Sequence, residues 1–245
     1  MIRFMRHSIA ILAAAVLSTT MYAQMPQRAL PFFSREDAPH LENILPPPPG
    51  LTDPLFFNDW AMYNWGKSIR ETDRGALAVE DAHIGAGSFM KRFSEALTCE
   101  VTPENCPALY RLLERAHRTT DTAGRSAKTY FSRVRPYQQY KEPSGVPQSE
   151  RPTDFTSYPS GHTHAAWVAG MIFTAIDPAN TEPIMKIAYE MGQSRVIVGF
   201  HYQSDVDAGR IAGSVTFARL CAEPEFLALL QEAKDEFNTL CSKNR

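Results

Sequence analysis

The chain has 245 residues, 44 % of them hydrophobic, and a formal net charge of −2 at pH 7. That length suits a signal segment plus one domain with a sizeable apolar core. The near-neutral balance, with no basic excess, argues against a nucleic-acid polymer as partner.

Arg3, Arg6 and His7 precede the apolar run 9–17, which is too short to span a bilayer comfortably. Residues 1–23 therefore read as an export signal ending near Ala23. Met21 is not ideal three residues before the cut, which leaves the site open by a few residues. A retained membrane anchor is the rival reading. No later segment has the roughly 20 apolar residues a spanning helix needs, so no stable membrane insertion is expected after cleavage. The mature protein is expected in the periplasm or outside the cell. Losing 1–23 removes two of the 25 basic residues and leaves a net −4.

Residues 24–54 read as an extended arm on the domain surface, with four prolines at 46–49 favouring polyproline II. The domain itself is expected to fill 55–245. A helix is predicted over 54–70, where Leu55, Phe56, Trp60, Tyr63 and Trp65 form an apolar surface. An Ala-rich helix is predicted over 75–96, with breakers only at Gly85 and Gly87. The next spans 107–117, with Pro107 in its first turn and Leu109, Leu112, Leu113 and Ala116 on one face. A further helix follows over 122–133. Pro143, Gly145, Pro147 and Pro152 mark 137–158 as a long loop, of a length often used to bind or cover a ligand. Helices over 161–176, 183–198, 205–220 and 224–240 complete the chain. No stretch alternates as a strand does, so the domain reads as all-α, with the aromatic and methionine stripes as core.

Cys99, Cys106, Cys221 and Cys241 are an even number in an exported chain and point to disulfides. Three pairings exist. Cys99–Cys106, closing a short proline-containing loop, and Cys221–Cys241, pinning the last helix, are preferred. The spacings match no common zinc pattern.

Three short segments carry chemistry. Lys128 with Arg135-Pro136 reads K-x6-R-P. On one helix the two cations would lie two turns, about 10 Å, apart on nearly one face and could meet at one anion. Pro136 disfavours helical geometry at Arg135 and ends that helix about there. Taken alone, the pair reads better as a solvated basic face. The second segment is Pro159-Ser160-Gly161-His162, just before a helix whose free N–H groups and dipole favour an anion. Pro143-Ser144-Gly145 repeats the first three residues, but Val146 follows instead of His, and it reads as a plain turn. His162 and His164 do not read as a metal pair, because no third ligand has suitable spacing.

The third segment, Ser194-Arg195 with His201 and Asp205, reads S-R-x5-H-x3-D. His201 and Asp205, four apart, are expected on one helical face. A carboxylate there can accept from one ring nitrogen and leave the other free to attack. On a continuous helix Arg195 would point away from His201, so a break at 198–200 is expected, eased by Gly199. Alone, His201 reads as a capping or core histidine; within this spacing it reads as functional.

Together the three segments resemble the PAP2 superfamily of acid phosphatases and vanadate-dependent haloperoxidases. Residues 157–163, Ser-Tyr-Pro-Ser-Gly-His-Thr, are most similar to the bacterial class A non-specific acid phosphatases. The resemblance implies that His201 is a nucleophile forming a phosphohistidine, that Asp205 orients it, and that His162 is the general acid. It implies that Lys128, Arg135, Arg195, Ser160 and the N–H of Gly161 hold the phosphoryl oxygens. It further implies broad, metal-independent hydrolysis of small phosphomonoesters, no cofactor, inhibition by vanadate and a homo-oligomer. Thr156 departs from the pattern, which more often has Gly there, and His164 has no place in it. A haloperoxidase would use the same anion cradle but is usually much longer. Lipid phosphatases of the superfamily usually carry several spanning helices. A periplasmic phosphate-binding protein would not need two histidines with a positioned aspartate.

His201 must be neutral to attack and His162 protonated to donate. With ordinary values near ~6.5, that mixed state is favoured on the mildly acid side. Asp205 is expected to raise the His201 pKa and the cationic cluster to lower it.

Overall fold

A computed structural model describes residues 29–243; the expected export signal, 1–23, lies outside them. The helices are α1 (Phe56–Ser68), α2 (Asp73–Glu80), α3 (Ala86–Ser94), α4 (Pro107–Phe131), α5 (Pro136–Tyr140), α6 (Gly161–Ile176), α7 (Thr181–Ile197), α8 (Gln203–Leu220) and α9 (Pro224–Lys243). No strand occurs among the described residues, so the fold is all-α as expected. No described helix is long and apolar enough to cross a membrane.

The sequence of α6 is apolar on almost every side, and such a helix is stable only when surrounded. Ala165, Ala166, Val168, Ala169, Ile172 and Phe173 are all buried. The helix is enclosed by α4, α7 and α8. Its start lies hard against α8: a Cβ at Gly209 would sit 2.8 Å from the Ser160 carbonyl oxygen. Across the same contact the Ser160 N–H donates to the Asp205 carbonyl at 2.9 Å. Thus the first turns of α6 and α8, which carry two of the three motifs, are fixed side by side.

α9 runs antiparallel to α4. Arg115 pairs with Glu225, Arg111 with Glu232, and the Ala108 N–H bonds Glu236. The N-terminal arm packs over the same pair, with the Phe32 ring 5.3 Å from that of Phe226 and its N–H bonded to Thr119.

This antiparallel pairing overturns the expected disulfides. The bridge is Cys99–Cys241, with Cα atoms 5.7 Å apart and a sequence separation of 142. The end of α9 returns to the loop before α4, so the far partner is nearer than the sequence neighbour. Cys106 is a buried free thiol and Cys221 an exposed one.

Several element boundaries also differ. The helix expected over 75–96 is two helices, parted at Gly85, whose φ of 149° favours glycine. The helices expected over 107–117 and 122–133 are one, α4, running without a break. The hydroxyls of Thr119 and Thr120 bond back to the carbonyls of Arg115 and His117, so these polar residues are satisfied inside the helix. The expected 137–158 loop begins within α5 and includes a 3-10 turn at Pro147–Ser149. Its Pro143-Ser144-Gly145 turn is pinned by the Gly145 N–H bonding Val198 O.

Candidate active site

All three segments converge at the N-terminal ends of α6 and α8. Lys128 and Arg135 do so differently from the helical expectation. α4 ends at Phe131, the chain reverses at Ser132 (φ 44°), and Arg135 is the extended N-cap of α5. The two cations nevertheless meet: Lys128 Nζ donates to the Thr156 carbonyl at 2.8 Å and Arg135 Nη2 to the same oxygen at 3.2 Å.

The expected break after α7 is present and has a local cause. Gly199 has φ +68°. Its N–H bonds Val196 O, and the Phe200 N–H bonds Arg195 O. This is a Schellman C-cap, which uses Gly where the chain turns left-handed. The His201 N–H also bonds the Arg195 carbonyl, at 3.2 Å, so the turn brings His201 back over Arg195.

His201 and Asp205 do not share a helical face. His201 precedes α8, and Asp205 is in its first turn, where its Oδ2 accepts the Tyr202 N–H at 2.9 Å. A helix-capping carboxylate thus reaches back to the histidine, with Nδ1 to Oδ2 at 3.4 Å. Asp205 is fully buried and also accepts from Ser157 Oγ at 2.6 Å.

Arg133, which the motifs did not single out, neutralises Asp205. Its Nη1 donates to Asp205 Oδ1 at 2.6 Å and its Nη2 to the buried Asp59 at 2.7 Å. Its guanidinium stacks 4.1 Å from the Tyr202 ring centre. Burial works against the Arg133 charge, but Asp205 and Asp59 prevail and hold it protonated. The missed signal was its place two residues before Arg135 in an R-x-R-P run.

The electrostatics follow. Burial first, then Arg135, Lys128 and Arg195, push the His201 pKa well below its ordinary value. The cationic cluster prevails over Asp205, whose charge is already paired with Arg133. His162 is likewise pushed well below its ordinary value by burial, then by Arg195 and His201. Its Nε2 donates to Ala82 O at 3.0 Å, so Nδ1 is the nitrogen left for chemistry. Lys128 is pushed down to about 7 by burial, with Arg135 adding to it.

Arg195 is 1 % exposed, and its Nε and Nη1 have no hydrogen-bond partner among the described residues. Burial, then Arg135, lowers its pKa to about 9, with Asp81 opposing. A buried guanidinium with unpartnered N–H groups is costly unless an anion joins it.

Ser160 caps α6: its Oγ accepts from the Thr163 N–H at 3.3 Å and lies 2.9 Å from Thr163 Oγ1. Gly161 lies beside Lys128, whose Cε would sit 3.5 Å from a Cβ there. A cavity of 570 Å³ opens on this side, lined by Lys128, Thr156, Gly161 and Arg125 among others. His164 is buried, bonds Thr216 Oγ1 at 2.8 Å and lines the same cavity. No group of three or more His, Cys, Asp or Glu suited to a metal ion occurs among the described residues.

Comparison with known proteins shows the family. Residues 116–222 match the PAP2 superfamily. The chain is 40 % identical to a non-specific acid phosphatase of Providencia stuartii over 238 residues, 93 % of this chain and 96 % of that protein. It is 35 % identical to a non-specific acid phosphatase of Salmonella typhi over 210 residues, 85 % and 84 % of the two chains. An acid phosphatase of Zymomonas mobilis subsp. mobilis is 31 % identical over 194 residues, 78 % and 73 %. The chain belongs to the PAP2 superfamily and, within it, to the non-specific acid phosphatases.

Proposed function

We propose that this protein hydrolyses small phosphomonoesters of broad range through a phosphohistidine at His201, without a metal ion. The observation that carries the reading is the Arg135 Nη1 to His201 Nε2 contact of 2.9 Å. A guanidinium only donates, so Nε2 is the unprotonated nitrogen and Nδ1 carries the proton toward Asp205. The nucleophilic lone pair is thus aimed into the cationic cluster.

The phosphoryl oxygens are held by Lys128, Arg135 and Arg195, joined by the Gly161 N–H at the start of α6, while Ser160 shapes that turn. His201 Nε2 forms a bond to phosphorus as the ester P–O bond breaks. The leaving alkoxide takes a proton from His162. Water then attacks phosphorus, the N–P bond breaks, and His162 takes the water's proton. Inorganic phosphate leaves. Asp205 stabilises the charge on His201 while phosphorus is attached. A bound dianion opposes the cations that depress His162, and so raises its pKa into the range a general acid needs.

The disulfide fits an exported, periplasmic or secreted protein. Vanadate, which matches the five-coordinate transition state, is the expected inhibitor. The test is hydrolysis of p-nitrophenyl phosphate across pH 4 to 9, with EDTA and then with orthovanadate. Activity below neutrality that survives EDTA and is lost with vanadate supports the reading. Dependence on an added divalent metal contradicts it.

A further inference from the structure

Arg135 and Arg195 are both buried cations, but they are held in opposite ways. Arg195 has unpartnered N–H groups, whereas all five N–H positions of Arg135 are matched by partners. Nε donates to Asp154 Oδ2 at 2.7 Å. Nη2 donates to the Thr156 carbonyl at 3.2 Å and to its hydroxyl at 3.1 Å. Nη1 donates to Phe200 O at 3.2 Å and to His201 Nε2 at 2.9 Å. The Phe200 ring centre lies 4.4 Å from the guanidinium carbon.

Asp154 and Thr156 act as one unit. Because the Thr156 hydroxyl accepts from Arg135, its own proton goes to Asp154 Oδ1, 2.5 Å away, and the Thr156 N–H donates to the same oxygen at 2.8 Å. Asp154 is the one carboxylate paired with Arg135 among the described residues. Asp205, the other nearby acid, is taken by Arg133. Although burial opposes it, the Thr156 hydroxyl and the Arg135 charge hold Asp154 ionised down to about pH 2. Thr156 is also the position where this chain departs from the glycine of the resembled pattern, and its side chain is what completes the clamp.

We propose that Asp154 and Thr156 are positioning residues that clamp Arg135 over the lone pair of His201 and leave it one exchangeable partner. Four of the five Nε and Nη hydrogen bonds fix the plane of the guanidinium. The fifth, to His201 Nε2, is the one a phosphoryl oxygen replaces when phosphorus approaches that nitrogen. The inference rests on His201 being the nucleophile.

The test compares wild type with Asp154→Asn, Thr156→Val, Thr156→Ser and the double variant Asp154→Asn/Thr156→Val. It measures kcat and KM on p-nitrophenyl phosphate and, separately, the calorimetric affinity for inorganic phosphate. Loss of a hydrogen bond to a charged group corresponds to about tenfold or more. Asp154→Asn and Thr156→Val are expected to raise KM and weaken phosphate binding by about that factor, with a smaller fall in kcat. Thr156→Ser, which keeps the hydroxyl, stays within about twofold. The double variant loses less than the product of the two singles, because both act through Arg135. Asp154→Asn also moves the basic limb of phosphate binding to lower pH. Lys128 faces Arg135, Asp205, Asp154 and Asp121, and the change removes one of its three carboxylates.

Unchanged KM, phosphate affinity and pH limbs in Asp154→Asn and Thr156→Val overturn the clamp. So does a Thr156→Ser loss equal to that of Thr156→Val. If wild type fails to turn over the ester, the calorimetric comparison still tests the clamp by itself. Circular dichroism identifies a variant that does not fold, and the two Thr156 variants then carry the test.

Discussion

Arg135 Nη1 lies 2.9 Å from His201 Nε2, a cation donating to the lone pair of a neutral histidine. The contact selects one tautomer, with the proton on Nδ1 facing Asp205 3.4 Å away. Nitrogen-15 chemical shifts of the labelled imidazole read this directly. They are expected to show an unprotonated Nε2 at pH 6, and a protonated Nε2 contradicts the assignment.

Arg133 is expected to matter as much as the motif cations. It bridges Asp59 and Asp205, each almost fully buried. Removing one partner of a buried ion pair costs about 3–5 kcal/mol. Arg133→Met should lose stability of that order in urea unfolding. It should also move the acid limb of kcat/KM upward, because an unpaired Asp205 raises the His201 pKa. An unmoved acid limb contradicts the neutralising role.

Lys128 is expected to set the basic limb of phosphate binding. Its folded pKa, lowered to about 7, means that its charge is present below that pH and is lost as pH rises through it. The calorimetric affinity of wild type for inorganic phosphate should therefore fall above about pH 7, whereas the basic limb of kcat/KM follows His162, which must be protonated to donate. An arginine in the same place holds its charge to higher pH than a lysine, as Arg195 does at about 9 beside it. Lys128→Arg should move the basic limb of phosphate binding up by a unit or more, whatever it does to the maximum. A limb that stays in place assigns it to another group.

His164 is expected to contribute to acid stability, beside His162 and His201. Burial first, then Lys128 and His117, lowers its pKa to about 3. The folded state thus favours the neutral form, so stability is full above the unfolded value near ~6.5 and declines as pH falls from there toward about 3. By pH 5 this single group costs about 2 kcal/mol. His164→Gln should flatten the fall in unfolding free energy between pH 7 and 5 by about that much. An unchanged slope contradicts it.

The Cys99–Cys241 bridge closes a separation of 142 residues. A loop of that length corresponds to about 2–5 kcal/mol of stability. Cys99→Ser should lower the urea-unfolding free energy by that amount, while Cys221→Ser, at an exposed site, should change it by less than about 0.5 kcal/mol. A peptide map linking Cys99 to Cys106 contradicts the pairing.

What the sequence made legible was what depends on near neighbours. The S-R-x5-H-x3-D spacing works because Gly199 allows one C-cap geometry, and the P-S-G-H segment works because it opens a helix. The all-α reading followed from helical periodicity and the lack of alternation. What stayed hidden depends on distant pairing. Arg133 and Asp205 are 72 residues apart, Arg133 and Asp59 are 74, and the two bridged cysteines are 142. Spacing also misled where a cap replaced a helix. His201 and Asp205 meet because a first-turn carboxylate reaches back, and Lys128 and Arg135 meet because a left-handed turn at Ser132 separates two helices. The continuous α4 was obscured because Thr119 and Thr120 look like a break until their hydroxyls are seen bonded within the helix.

The proposed chemistry runs through a covalent intermediate on His201. Rapid acid-free quenching of enzyme with radiolabelled phosphoester, followed by peptide mapping under alkaline conditions, tests it most directly. Label is expected on the peptide containing His201, stable to alkali and labile to acid, present in wild type and absent in His201→Ala, which should be folded and inactive. Label on another residue, or turnover at the wild-type kcat in His201→Ala, would contradict it.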